Sequence, residues 1–536
     1  MNKVRVRIDG RLRMPVGDVP ERMLEQMRIR FSYPSPESGP PIGRMAGEPR
    51  PDWCAVVEEA GHYCVPRGLL DALRSCAQGC DVQLQYESRV CGSAAVPCTS
   101  DEDWAIRPRP YQREIVNALV EKVQGYVVLP CGGGKTTAGV AAILRVGQPA
   151  LVLVGSTDLL DQWADTVTRA SAGTIKPRRV GGGTRPDFSP LRPGEVAVAM
   201  VQVLADEPAA DPLLRSVAVL LADEVHHIAS RSWSEVTNRC PARWRWGLTA
   251  TPDRADGWGF LLRVLLGPCL YTKTARELVD LGYLRTPTII PVSSAWLPGP
   301  AEHRWAVRCP ACGYMGDHGW NAWQGGRATC TGRVVTRGKR VKCGLVLPPT
   351  ADAQQSTLDW SATSSALGAD PARQALLGAL AGHAVKAGRK VLVLVGRKAT
   401  LDPVAGHARV SGGGQVAVVA SGVGGREGII ARLKNGRTDV LVATQLADEG
   451  LDVPDLDCVV LGQPGKDGGK AKQRTGRTTR PHGQPPVVFD VVDGGGVLRA
   501  QWRSRRRAYE AEYGPGCLAA RDPVSLEEAL LLMGRV

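Results

Sequence analysis

The chain has 536 residues, 43% of them hydrophobic, and carries 67 Lys and Arg against 53 Asp and Glu, for a formal net charge of +14. That is material for three or four domains with ordinary cores, which excludes a disordered or fibrous protein, and the basic surplus points to a polyanionic partner, nucleic acid before membrane. No stretch approaches about 18 uninterrupted apolar residues, and the first 13 residues alternate basic with apolar, so neither a membrane span nor a secretory signal is expected. The 15 cysteines, an odd number, suit a reducing cytoplasm better than a disulfide framework.

Residues 1–100 read as a first unit. Residues 4–8 alternate like a strand, 19–31 and 69–76 have helical spacing, and 32–51 form a Pro, Gly and Ser-rich loop. The cysteines of this region match no common zinc spacing and read as buried or idle thiols. From 107 to 291 the pattern becomes strand, loop, helix, repeated. Strands are predicted at 127–129, 150–154, 196–200, 217–222 and 246–248. Apolar strands alternating with helices imply a parallel sheet covered on both faces, with its chemistry at the carboxyl ends of the strands.

The polar clusters fall at those ends. Arg109-Pro110-Tyr111-Gln112 opens a helix, and the Gln112 amide, both donor and acceptor, suits an adenine edge. Leu129-Pro130-Cys131-Gly132-Gly133-Gly134-Lys135-Thr136-Thr137 follows an apolar run and precedes a helical segment. Its glycines let successive N–H groups converge on one anion, and the helix N-terminus adds partial positive charge. Lys135 suits the terminal phosphates and Thr136 a Mg²⁺ ion. Leu129 stands where the strict phosphate-loop pattern has its first glycine, and the bland alternative is a turn with a chance Lys-Thr. Asp223 and Glu224 directly follow a predicted strand: Asp223 suits the same Mg²⁺, and Glu224 an attacking water. His227 suits a γ-phosphate sensor or a link to the next motif. Thr249-Ala250-Thr251-Pro252 offers hydroxyls to couple nucleotide state to movement, the alternative being a plain turn.

Residues 295–350 interrupt this pattern. Cys309 and Cys312 form C-x₂-C, followed after 17 residues by Cys330 and after a further 12 by Cys343. That spacing predicts a four-thiolate structural zinc site whose second knuckle carries an inserted hairpin at 333–342, the alternative being free thiols. Basic residues interleaved with Trp305, Trp320 and Trp323 suggest nucleic-acid contact, or a solvated basic surface over a tryptophan core. Residues 351–370 read as a linker. A second strand–helix pattern runs from 371 to 494, with strands at 390–395, 415–420, 440–444, 458–461 and 487–492. Arg477 and Arg480 are three apart, so a helix would point them the same way, as fingers on a γ-phosphate or as a surface basic cluster. The tail from 497 reads as helical and carries a basic patch at 502–507.

In this order the motifs resemble those of a superfamily 2 DExH-type helicase. They are most similar to the group containing the xeroderma pigmentosum group B helicase and related phage and bacterial DNA helicases. The stretches 129–136 and Gly247-Leu-Thr-Ala-Thr-Pro-Asp-Arg254-Ala-Asp256 carry that similarity, although alanine replaces the middle of the group's Arg-Glu-Asp. The resemblance implies an α/β fold: two tandem RecA-like parallel-sheet lobes at 101–294 and 351–496, an N-terminal α+β domain at 1–100, a zinc-ribbon-like insert at 295–350 and a helical tail at 497–536. Val65-Pro66-Arg67-Gly68-Leu69 is similar to a segment of an N-terminal region thought to read DNA distortion.

The resemblance also implies roles. Arg109, Gln112, Gly132, Gly133, Gly134, Lys135, Thr136 and Thr137 bind ATP and Mg²⁺, with Gly450 and Asp452 from the second lobe. Lys135, Asp223, Glu224, Arg477 and Arg480 carry catalysis. His227, Thr249, Thr251 and Gln473 couple it to movement. Ser156, Thr157, Gln202 and Thr444, with Gln162-Trp163 further along, contact the strand. The implied activity is an ATP-dependent, 3′–5′ helicase or translocase in the cytoplasm of a bacterial or phage-infected cell, with DNA favoured over RNA as the track. The alternatives are an RNA helicase, the motor subunit of a restriction or defence complex, and a catalytically dead nucleic-acid-binding regulator.

Overall fold

The structure, a computed structural model, describes residues 2–34, 53–92, 104–183, 185–252, 257–336, 339–349, 351, 353–412, 414–420, 428–429, 432–433, 435–444, 456–463, 465, 467–481 and 483–536. It divides into two units, Met1–Leu278 and Val279–Val536.

The first unit opens with strands β1 (Asn2–Ile8) and β2 (Arg11–Pro15), helix α1 (Glu21–Arg30), strands β3 (Val57–Glu59) and β4 (His62–Pro66), helix α2 (Leu70–Gly79) and strand β5 (Val82–Ser88). The strands form one mixed sheet in the order β3-β4-β2-β1-β5. Period-two alternation buries Val4, Val6, Leu12 and Met14 on one face, where Met23 and Met27 of α1 and Leu73 and Cys76 of α2 cover them.

Helix α3 (Pro110–Lys122), strand β6 (Gln124–Val128), helix α4 (Lys135–Val146), strand β7 (Ala150–Val154), helix α5 (Thr157–Ala170), strands β8 (Arg178–Val180) and β9 (Val196–Met200), helix α6 (Val201–Leu204), strand β10 (Val219–Ala222), helix α7 (Arg231–Arg239) and strands β11 (Trp244–Thr249) and β12 (Cys269–Thr272) follow. Their seven strands are all parallel, in the order β8-β9-β7-β10-β11-β6-β12. Every residue of β7 and β10 is buried, as a strand covered on both faces requires.

The N-terminal sheet docks on this larger one by backbone approach. A Cβ on Gly10 would fall 1.9 Å from the Asn238 carbonyl oxygen, and one on Gly68 would fall 2.4 Å from that of Arg263. Two buried arginines bind carbonyls across the seam. Arg67 donates to Ala242 and Arg243, and Arg245 of β11 donates to Gly10. Burial pushes both guanidiniums down, to about 9 and about 10, so both stay charged at neutral pH.

The second unit begins with β13 (Thr288–Ser293). It continues through β14 (His303–Arg308), β15 (Met315–Gly319), α8 (Trp320–Gln324), β16 (Arg333–Thr336), β17 (Lys339–Lys342), β18 (Ala353–Leu358), α9 (Trp360–Ala369), α10 (Pro371–Lys386), β19 (Val391–Val395), α11 (Leu401–Gly412), β20 (Val416–Val419), β21 (Val440–Thr444), β22 (Cys458–Leu461), α12 (Gly468–Thr475), β23 (Val487–Val492), α13 (Gly496–Tyr513) and α14 (Leu526–Gly534). Six parallel strands form its main sheet, in the order β13-β23-β22-β19-β21-β20. A three-stranded antiparallel sheet, β15-β14-β18, and the β16–β17 hairpin make the cysteine module.

Three local expectations change. Residues 288–293 pair with β23 in the second sheet, not with the first. The supposed linker 351–370 is strand β18 and helix α9, the helix capped by Asp359, whose carboxylate accepts the Ser361 and Ala362 N–H groups. Arg477 and Arg480 do not share a helix, because α12 ends at Thr475 with Gly476 as its cap. The Thr478 and Thr479 hydroxyls bond back to the carbonyls of Thr475 and Gly476, and Pro481 disfavours helix at the residue before it. Gly450, Asp452 and the Arg254–Asp256 segment lie outside the described residues.

Candidate nucleotide site and four-cysteine cluster

The glycine loop joins the end of β6 to the start of α4. Gly134 is the helix N-cap, with φ +73° and no side-chain cap on the helix. The left-handed φ favours glycine, and a Cβ there would also crowd Nε2 of Gln112 at 2.2 Å. Lys135, the first helical residue, donates from Nζ to the Leu129 carbonyl at 3.3 Å. The Tyr111 hydroxyl donates to the Gly133 carbonyl at 2.8 Å. Gln112 is 3% exposed: its Oε1 accepts the Arg109 N–H at 2.8 Å, and its Nε2 lies 3.4 Å from the Gly134 carbonyl. The Arg109–Gln112 segment therefore braces the loop backbone. An uncapped helix N-terminus, a glycine cradle and a lysine at its mouth fit a nucleotide's phosphates.

Asp223 and Glu224 leave β10 at the same carboxyl edge. Asp223 Oδ1 accepts the Glu224 N–H at 2.9 Å and Oδ2 accepts the Trp163 indole N–H at 2.7 Å. Glu224 holds φ +46°, a left-handed conformation that costs energy in a non-glycine residue and gathers at functional sites. Burial, reinforced by Glu224, raises the Asp223 carboxyl well above the usual carboxylate range. Burial also opposes ionisation of Glu224, but Lys135 and His226 outweigh it and hold that carboxyl low. A buried carboxylate already fixed by two N–H donors, close enough to Lys135 to feel its charge, fits a site for Mg²⁺ beside phosphate.

His226 is the residue the sequence reasoning passed over. Its Nδ1 lies 3.4 Å from Glu224 Oε2 and 3.4 Å from Thr249 Oγ1. Thr249 Oγ1 in turn accepts the Thr251 N–H at 3.1 Å. The ring of His227 sits 4.2 Å from that of His226 and 6.4 Å from that of Trp233. The signal was available, since the fourth position of Asp-Glu-x-His is His226.

Ser156, Thr157 and Gln202 come together at the carboxyl ends of β7 and β9. Ser156 caps α5, Thr157 is exposed beside Met200, and Gln202 donates to the Gly155 carbonyl at 3.1 Å. Trp163 does not join them, being fully buried. In the second unit Thr444 is buried at the end of β21, and Gln473 lies on α12, just before the turn that bears Arg477 and Arg480.

The Sγ atoms of Cys309, Cys312, Cys330 and Cys343 all lie within 4.8 Å of one another, with Cys309–Cys343 at 3.8 Å and Cys312–Cys330 at 3.5 Å. Tetrahedral zinc–thiolate bonds of about 2.3 Å set sulfur–sulfur edges near 3.8 Å. A Cβ on Gly332 would lie 3.1 Å from Cys312 Sγ, so the second knuckle closes tightly on the first. This group could hold a metal ion. Trp305, Trp320 and Trp323 pack on one another with centroids 5.2 to 5.8 Å apart, and Trp323 is buried, so they form the module's core.

Residues 105–254 match the family described as the res subunit of type III restriction enzymes, and residues 372–482 match the helicase conserved C-terminal domain. With two parallel-sheet units in tandem, these matches define the class: the chain belongs to helicase superfamily 2. Its relatives there are of the XPB and Rad25 kind. The DNA 3′-5′ translocase XPB2 of Sulfurisphaera tokodaii is 31% identical over 199 residues, 37% of this chain and 42% of that protein. The DNA 3′-5′ helicase XPB of Kineococcus radiotolerans is 32% identical over 36% of this chain and 34% of that protein. The chain thus matches less than half the length of either relative. Dbp5 of S. cerevisiae, solved with RNA and ADP BeF3, shares the fold with a TM-score of 0.53 at 15% identity, over 80% of this chain and 93% of that one.

Proposed function

We propose that the chain is an ATP-driven motor that runs 3′ to 5′ along DNA. The observation that carries this reading is the meeting of Lys135, Asp223 and Glu224 at the carboxyl edge of one parallel sheet, close enough for Lys135 to act on both carboxyls. Lys135 and the loop N–H groups bind the terminal phosphates. Glu224, kept ionised by Lys135 and His226, orients the attacking water and takes its proton. Asp223 and Thr136 would hold Mg²⁺, which when bound neutralises phosphate charge. Arg477 and Arg480 are the proposed catalytic cations of the second unit. The Glu224–His226–Thr249 chain carries the change at the γ-phosphate to the Thr249–Thr251 segment.

DNA as the track is supported by the named activities of the two relatives and by the net charge of +14. Ser156, Thr157, Gln202 and Thr444 are the proposed strand contacts. Cys309, Cys312, Cys330 and Cys343 would hold a structural zinc that fixes the insert, whose hairpin pairs Arg333 with Lys342 and Val335 with Arg340 without an acidic residue, which suits a phosphate backbone.

Phosphate release assays with single-stranded DNA, duplex DNA and RNA test this on the full chain. DNA is expected to stimulate hydrolysis, and Lys135→Ala to lower turnover by about 100-fold or more. A Lys135→Ala protein as active as the parent overturns the motor, and stimulation by RNA alone moves the track to RNA.

A further inference from the structure

Trp163 is fully buried on α5 of the first unit. Its ring edge packs against α4, the helix that follows the phosphate loop: a Cβ on Gly139 would lie 2.8 Å from its Cη2. Its indole N–H donates to Asp223 Oδ2 at 2.7 Å. Buried tryptophans usually find an acceptor for that N–H, and a main-chain carbonyl ordinarily serves. Here Trp244 donates to Val120, Trp246 to Leu119, Trp305 to Pro300 and Trp323 to Pro348, all through main-chain carbonyls. Trp163 spends its N–H on the carboxylate at the nucleotide site instead.

A carboxylate turns freely about its last bond unless both oxygens are held. At Asp223 the Glu224 N–H holds one and the Trp163 N–H the other. Each oxygen keeps a further lone pair, now with a fixed direction. Donors to ligating carboxylates orient the ligand, and removing one weakens metal binding by about 10- to 100-fold.

We propose that Trp163 is the positioning residue that fixes the Asp223 carboxylate for Mg²⁺. This rests on the reading of Asp223 as the metal residue. It also makes α5 a lever, since Thr157, a proposed strand contact, lies six residues before Trp163 on the same helix, about 9 Å along its axis. Strand contact at the start of α5 and the metal carboxylate's geometry at its middle are then set by one rigid element.

The test is Mg²⁺-dependent binding of a fluorescent (mant) ADP to the full chain, a readout independent of turnover. Trp163→Phe keeps the ring and removes the N–H. It is expected to raise the half-saturating Mg²⁺ about tenfold while leaving nucleotide binding in EDTA unchanged. Trp244→Phe, which loses a bond to a main-chain carbonyl, is expected to leave the Mg²⁺ requirement where it was. Should Trp163→Phe fail to fold, Gly139→Ala, whose Cβ meets Leu221 and Leu248 as well as the indole, pushes the indole without removing it and is expected to shift the requirement the same way. An unchanged Mg²⁺ requirement in a folded variant overturns the positioning role. If Asp223→Asn leaves the Mg²⁺ requirement of the parent intact, the assignment of Asp223 itself has failed.

Discussion

Asp457 lies just before β22, buried, with its Oδ1 accepting the Lys390 N–H at 3.0 Å. Burial raises its carboxyl from 3.8 to about 6, and Arg389 and Lys390 offset only part of that rise. The folded chain therefore holds this proton more tightly than the unfolded chain between about pH 4 and 6, and this group's contribution to stability is lost as pH climbs through that window. Asp457→Asn keeps the acceptor and removes the titration. Its stability advantage over the parent is expected to be small at pH 4 and to reach roughly 1 kcal/mol by pH 7 after screening. Melting curves across that range check it, and parallel curves for the two proteins would contradict it. Single residues were legible in the sequence where spacing encodes chemistry. Lys135, Asp223 and the four cysteines announce themselves by their neighbours. Trp163 does not, because its pattern is that of any core tryptophan on an amphipathic helix and only the fold turns its N–H toward Asp223. His226 was within reach but lost to its neighbour, because the two adjacent histidines differ only in which one faces Glu224 and Thr249.

Elements were legible when their apolar run was long and continuous, as in β7 and β19, which are buried at every position. They were misread where polarity and small residues mimic a loop. Residues 353–369 form a strand and a helix although their Ser, Thr and Ala content suggests a linker, because partners elsewhere in the unit bury Thr363, Ser364 and Leu367. The seam between the N-terminal sheet and the larger sheet was invisible for a different reason. Asp9-Gly10 between β1 and β2 reads as a hairpin turn, yet Gly10 does not have a positive φ. What demands glycine is the Asn238 carbonyl 1.9 Å from where a Cβ would stand. Gly10→Ala is expected to cost about 1–3 kcal/mol as the two backbones are forced apart. Calorimetry of the full chain should show the transition that unfolds the first unit falling by several degrees, and an unshifted melt would mean the seam yields without strain.

At the scale of the molecule, the two parallel sheets follow from alternating apolar strands and helices, and the order of motifs along the chain gave the superfamily. The allocation of strands was harder. Nothing in residues 288–293 says whether they extend the sheet before them or join the one after; backbone pairing with β23 decides it, and that partner lies some 200 residues downstream. The cysteine module is consequently bracketed within the second unit, between β13 and the helices that precede β19.

That bracketing has a practical meaning. The module enters at His303 and leaves at Leu358, and these two residues face each other as neighbours on antiparallel strands, with the Asp359 N–H bonded to the Glu302 carbonyl at 2.8 Å. The door in is the door out. Residues 304–357 are a cassette: a few glycines can bridge the gap they leave without moving β13 or α9. The excised chain is expected to keep both parallel sheets by circular dichroism and to hydrolyse ATP. It should lack the one zinc per chain expected of the parent, and bind DNA about tenfold more weakly with a shallower dependence on salt. A chain that unfolds when the cassette is removed would show it to be a keystone instead.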